Sequence, residues 1–209
     1  MKYSFEDPSK YNCKGYPLYN FGYMRATLPK ALVNSLKKYC KQFDSAKPKA
    51  EKHITGLTKK YANTAPHYRL TQELKKSFLD FVGGVVYIYD KNSDYASITL
   101  KFLDKDLPFS MDDPWINVQK SIQYLPFHSH DGVYSYTCWI NLPPVSLFQF
   151  MYPSSVGSII VNDIHLTPKD EGDMIVFPAG LQHCVHPFDY TQRKRISISG
   201  NVLLTTQAQ

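Results

Sequence analysis

Beyond Gly83-Gly84 the helical spacing gives way to a succession of short β-rich runs, and this change of period to two constrains the fold more than anything else in the sequence. The runs are VVYIY, SITLKF, WINVQ, VYSYTCWINL, LFQFMY, SIIV, DMIVF and KRISISGNVLL, separated by Asp, Pro, Gly and Asn turn signals. Eight such runs with little helical pattern among them argue against alternating βαβ units and predict a double-sheet sandwich or jelly roll.

Upstream the period differs. Leu32, Val33, Leu36, Tyr39, Cys40 and Phe43 recur at helical spacing, with Pro29 suited to the first turn and Lys30, Lys37, Lys38 and Lys41 off the stripe. That predicts an amphipathic helix. A second helix is expected from Thr71 as N-cap, carrying Leu74, Phe78, Phe81 and Val82, and ending at Gly83-Gly84. Residues 1–26, rich in Tyr, Pro and Gly, read as an irregular arm, and the lysine-rich stretch 44–67 as an exposed connection. The expected class is α+β: an arm and helices over 1–83, packed on one sheet of a jelly-roll core over 84–209, with all 209 residues in one domain.

The net charge is +6, but the lysines and arginines are scattered rather than gathered in an aromatic-interleaved stripe. The basic surface reads as solvated, and nucleic acid is not the favoured partner. No apolar run approaches the roughly 20 residues of a membrane span. Cys13, Cys40, Cys138 and Cys184 form no CxxC pair, and no apolar leader follows MKYSFEDPSK, so a reducing cytoplasm is expected. Nothing in the sequence speaks to oligomeric state.

Chemistry concentrates in the second half. His128 and His130 stand in PFHSHDG, and on an extended segment two side chains so spaced share a face. Pro126 and Asp131-Gly132 put them where a strand ends. A first-row metal needs neutral imidazole or carboxylate donors converging from different segments, and His183, in FPAGLQHCVHPF, would supply a third from a neighbouring strand. One histidine on a half-buried strand is more often a hydrogen-bonded core residue; three at compatible places are a candidate metal site.

Arg195 opens RISISGN. Its guanidinium suits a carboxylate by two parallel charge-assisted hydrogen bonds. Phase selects Arg195 over Lys194: it shares a face with Ser197 and Ser199, while Lys194, Ile196 and Ile198 have the opposite parity. Ser197 would add a bond to the same carboxylate. Asn117, Gln119 and Tyr124 are further candidates to line a pocket. His186 is a weaker rival to His183, His165 follows a turn, and His53 and His67 lie in loop sequence. Trp115, Trp139 and Cys138 read as core, and Cys184 as a buried neighbour of the His183 strand.

The segments PFHSHDGVYSYTCWINLPP, GDMIVFPAGLQHCVHPF and KRISISGNV together resemble the double-stranded β-helix core of 2-oxoglutarate and Fe(II)-dependent dioxygenases, and in particular small oxygenases of tailed, cyanophage-like phages of marine bacteria. The likeness spans about residues 113–203. It implies His128 as first iron ligand, His183 as distal ligand, and Arg195 with Ser197 as the site for the far carboxylate of 2-oxoglutarate; Tyr124 and Asn117, from their places in the strands, are candidates to line the cosubstrate pocket or to satisfy a local strand or turn.

Position 130 departs from the family's pattern. An Asp or Glu usually stands two residues after the first histidine, completing a two-His-one-carboxylate triad, whereas here His130 is followed by Asp131. Either His130 ligates in a three-His site, or Asp131 substitutes, or water fills the place; the spacing favours His130. The implied activity is hydroxylation with molecular oxygen of an unassigned substrate, a protein side chain ahead of a small metabolite. Two rivals stand beside it: a cupin-like three-His dioxygenase that uses no 2-oxoglutarate, and a noncatalytic β-helix module that binds or assembles. If the gene is a phage's, the expected compartment is the host cytoplasm.

Overall fold

The computed structural model describes residues 11–18, 21–44, 48–53, 66–92, 101–102, 105–106, 109–154, 156–189 and 193–204. Among them two antiparallel sheets face each other. The larger runs, in spatial order, Asn12–Leu18 (β1), Phe21–Thr27 (β2), Asp173–Pro178 (β13), Tyr134–Asn141 (β10), Arg195–Leu204 (β15), Trp115–Gln119 (β8), His67–Arg69 (β4) and Lys52–His53 (β3), with Phe109–Met111 (β7) also paired to β15. The smaller runs Ile159–Leu166 (β12), Ser146–Pro153 (β11), Gln182–Val185 (β14) and Leu125–His128 (β9). A separate ribbon pairs Lys101–Phe102 (β5) with Lys105–Asp106 (β6). This is the jelly roll expected from the period of two, in the double-stranded β-helix form that the resemblance implied.

Alternation sorts the larger sheet into two faces. Tyr134, Tyr136, Cys138 and Ile140 of β10, Met174 and Val176 of β13, and Ile196, Ile198 and Val202 of β15 pack under the helices Lys30–Cys40 (α1) and Gln72–Asn92 (α2). Their neighbours in sequence face the smaller sheet: Trp139, Ile175 and Phe177 join Phe148, Phe150, Tyr152, Ile164 and Leu166 in a second core. At the end of that inner layer the apolar filling gives way to Arg195, Ser197 and Ser199, and a cavity opens there.

Three expectations are corrected. VVYIY is not a strand: α2 runs through Gly83-Gly84 to Asn92. Phe78, Val82, Val85, Val86 and Tyr89 are at most 1% exposed and make one continuous helical stripe, so packing outweighs the roughly 1 kcal/mol that each glycine costs. Gly84 is a packing residue: a Cβ there would lie 2.4 Å from the Tyr11 ring. The arm is not irregular over its described part, because β1 and β2 form a hairpin whose second strand pairs with β13. That pairing partner lies about 150 residues away in sequence, so no local pattern announces it. The connection 44–67 contains β3 and the start of β4, which extend the larger sheet beyond β8; residues 45–47 and 54–65 lie outside the described residues, as do most of SITLKF and the extreme N-terminus.

Candidate metal centre

β9 and β14 pair so that His128 and His183 are direct cross-strand partners. Between that pair and the next, Val185 with Leu125, the register shifts. One intervening residue on β14 faces two on β9, and the extra residue puts Leu125 in phase with His128. Both line the cavity. The same bulge corrects the placement of Tyr124: simple alternation from His128 would turn it inward, but it is 43% exposed and is not among the lining residues.

His130 follows β9 in a bend held by its own N–H donating to the Ala179 carbonyl at 2.9 Å. The ring centroids of His128, His130 and His183 stand 4.3 to 5.1 Å apart, and one potential ligand nitrogen from each lies within 4.8 Å of the others. Asp131, the alternative third ligand, is exposed and outside this cluster.

Protonation is set by the surroundings. The Nδ1–H of His128 donates to the Pro126 carbonyl at 2.6 Å and that of His183 to the Leu181 carbonyl at 2.9 Å, each reaching back two residues. A proton held on Nδ1 leaves the Nε2 lone pair free, which is how a backbone carbonyl fixes a ligating histidine. Burial lowers all three pKa values. For His128 the Pro126 carbonyl opposes it in part; His130 is pushed to about 4 by burial and by His128; His183, packed among Phe148, Phe150 and Phe177, is driven well below the usual range by burial and by its two neighbours. Near neutral pH the cluster is three neutral nitrogen donors, and a first-row divalent ion fits such a set.

Arg195 lines the same cavity and is 2% exposed. Its Nε–H donates to Gln119 Oε1 at 3.0 Å, its Nη2–H to the His186 carbonyl, and the Phe188 ring lies 5.0 Å from the guanidinium carbon. No carboxylate pairs with it among the described residues, its Nη1 has no partner, and burial pulls its pKa to about 9. The neighbouring cations are engaged elsewhere: Arg193 pairs with Glu171, and Lys194 donates to the Phe43 carbonyl.

Beside Arg195, Asn117 Nδ2 donates to Ser197 Oγ at 3.2 Å and Ser199 Oγ at 3.1 Å, and Ser199 in turn donates to Thr137 Oγ1. Asn117 Oδ1 is buried without a partner. The cavity's volume is ≈ 40 Å³, room for about three waters.

Among the other histidines, His165 is exposed, and His186 points its Nε2 at Gln149 and Cys184 on the outer side of β14. His67 departs from the loop reading. It is 3% exposed, stacks on Trp115 and lines the cavity, because β4 docks against β8 with His67 opposite Asn117. Nothing local in the sequence signals this; the contact exists only once those strands pair. Trp115 likewise lines the cavity and lies 5.9 Å from His130, rather than being core alone.

No protein-family model and no curated protein matches the chain. Solved structures do. A prolyl-4-hydroxylase of Pseudomonas putida superposes with a TM-score of 0.57 at 16% identity, covering 94% of this chain and 95% of that one. HygX of Streptomyces hygroscopicus, with nickel, 2-oxoglutarate and hygromycin B bound, gives 0.60 at 9% identity, covering 90% and 84%. A prolyl hydroxylase of Trichoplax adhaerens, in complex with a peptide of the hypoxia inducible factor oxygen degradation domain, gives 0.56 at 9%, covering 91% and 83%. At such identities the likeness establishes the fold.

Proposed function

We propose that this protein is an Fe(II)- and 2-oxoglutarate-dependent oxygenase, acting as a hydroxylase, with His128, His130 and His183 as iron ligands and Arg195 and Ser197 holding the far carboxylate of 2-oxoglutarate. One observation carries the reading. A buried guanidinium with a free Nη1 and, among the described residues, no acidic partner shares a cavity with three neutral imidazoles, so the cavity is built for a cation at one end and an anion at the other. An uncompensated buried charge is costly, and a bound carboxylate removes that cost.

Iron, when bound, supplies the coupling of oxygen and 2-oxoglutarate to hydroxylation of an unactivated C–H bond. The chain supplies the rest. The Pro126 and Leu181 carbonyls hold two imidazoles in the ligating tautomer, Phe148, Phe150 and Phe177 keep water from the His183 side, and Gln119 and the His186 carbonyl orient Arg195. With Asn117 Nδ2 donating to Ser197 Oγ, the Ser197 hydroxyl keeps its own proton for a carboxylate. Entry of a dicarboxylate into so small a cavity requires lining side chains to give way. The primary substrate is left unassigned by this proposal; of the neighbours described, one holds a peptide and one hygromycin B.

The all-nitrogen donor set favours, as a second reading, a three-His dioxygenase that uses no 2-oxoglutarate. Turnover decides between them. The purified protein, loaded with Fe(II) under anaerobic conditions and then given oxygen, is expected to convert 2-oxoglutarate to succinate; absence of succinate with iron bound would move the assignment to the second reading or to a noncatalytic binding module.

A further inference from the structure

We propose that Gln119 is the positioning residue of Arg195, and that its neutrality reserves the guanidinium's charge for the anion that enters the cavity. The inference rests on the assignment of Arg195 to an anion site, and it adds a residue and a physical reason to that assignment.

Gln119 and Arg195 are direct partners in the β8–β15 register, and both side chains are 2% exposed. The orientation of the Gln119 amide is not free. Its Nε2–H donates to the Gln123 carbonyl at 2.6 Å, and Gln123 is itself anchored by accepting the Lys120 N–H at 2.8 Å on its Oε1. With Nε2 committed to that turn, Oε1 must face β15, where it accepts the Arg195 Nε–H at 3.0 Å. A flipped amide would set two donors against each other. The chain Lys120, Gln123, Gln119 therefore fixes the guanidinium in rotation about its own axis.

The choice of acceptor matters as much as its place. A carboxylate at position 119 would make a better partner for a buried cation, yet it would neutralise it. Among the described residues, every hydrogen-bond or ring contact to the Arg195 guanidinium is uncharged instead: an amide oxygen, the His186 carbonyl and the Phe188 ring. Nη1, the nitrogen left without a partner, belongs to a residue that lines the cavity. The fork is held on one side and its charge is left to be met from the other.

Two variants of the full-length protein test this. In Gln119→Met, 15N-arginine labelling should show the Arg195 Nε–H exchanging with solvent at least about tenfold faster than in the wild type, since a bond of roughly 1.4 kcal/mol corresponds to that factor. In Gln119→Glu the bond to Arg195 and its protection are kept, while the Gln123 carbonyl loses its donor, as it also does in Gln119→Met. That variant without ligand should melt about 2 °C or more above Gln119→Met, which loses the same donor to the Gln123 carbonyl, because a buried charge gains a counter-ion. Its metal-loaded form should bind 2-oxoglutarate at least about tenfold more weakly. Unchanged exchange in Gln119→Met overturns the positioning role. A Gln119→Glu protein that melts no higher than Gln119→Met, or that binds 2-oxoglutarate as tightly as the wild type, overturns the reserved charge. If the wild type binds no 2-oxoglutarate while the exchange and melting results come out as expected, the cosubstrate assignment fails and the role of Gln119 stands.

Discussion

His128 and His183 face each other across the β9–β14 pair with ring centroids 4.3 Å apart, so two members of the candidate metal site are set by one cross-strand register. A slip of one residue on either strand would carry its histidine to the opposite face of the smaller sheet. The apolar side chains of β11 and β13 oppose that slip, because Phe148 and Phe177 pack against the His183 ring.

His130 should matter to metal binding and Asp131 should not. His130 contributes a nitrogen to the cluster, whereas Asp131 is exposed and outside it. Anaerobic titration with Fe(II) is expected to show His130→Ala binding far more weakly than Asp131→Asn, with Asp131→Asn close to the wild type. Equal affinity in wild type and His130→Ala would remove His130 from the site.

The bend after His130 depends on Gly132. Its φ is +115°, and a Cβ there would lie 2.7 Å from the Val202 carbonyl oxygen, which already accepts the Val133 N–H. Gly132→Ala is expected to cost about 1–3 kcal/mol, lowering the melting temperature by roughly 2–4 °C per kcal/mol. It should also weaken metal binding by displacing His130. A melting curve superposable on the wild type would show that the bend tolerates a side chain.

How far the sequence carried depends on whether each feature is local. The runs VYSYTCWINL and DMIVF identified strands, and the alternation in RISISGN identified faces, because one strand's pattern reports its own burial; Ile196 and Ile198 do lie in the layer opposite Arg195. The pairing of His128 with His130 was readable from their spacing. What was not readable required a distant partner: the bulge that turns Tyr124 outward, the docking of β4 that buries His67, and the joining of β2 to β13. The glycines in α2 misled because a helix-ending signal and a packing glycine are the same residue; only the approach of Tyr11 tells them apart.

Asp170 should contribute stability that acid removes. Burial tends to raise its carboxyl, but the Thr167 N–H at 2.7 Å, the Thr167 hydroxyl at 2.9 Å and the Arg25 guanidinium outweigh burial and hold it below the ordinary 3.8. A carboxyl depressed in the folded state contributes stability above its unfolded pKa, and that contribution is lost as pH falls through the folded value. The Arg25–Asp170 pair is partly exposed, so solvent screening limits the effect to about 1 kcal/mol or less. Denaturant unfolding of wild type and Asp170→Asn should differ by a constant amount near neutral pH and converge in acid below 3.8. A gap that widens with acidity would have the sign wrong.

Arg195 separates the 2-oxoglutarate enzyme from its rivals. Replacing it with Met removes the charge-assisted contact to the far carboxylate while leaving a side chain of similar length against Phe188. By comparison with other truncated buried charge pairs the loss should be roughly 2–5 kcal/mol, at least about thirtyfold in dissociation constant. Iron affinity should hardly change, because Arg195 is not in the nitrogen cluster. The variant should also be no less stable than the wild type in the absence of ligand, since the uncompensated charge is gone, although Gln119 and the His186 carbonyl each lose a donor. Calorimetry on the Fe(II)-loaded proteins reads the first effect directly. Undiminished 2-oxoglutarate affinity in Arg195→Met would make the arginine structural and end the cosubstrate assignment, whereas a loss confined to 2-oxoglutarate, with iron still bound, is the result that neither a three-His dioxygenase nor a noncatalytic module predicts.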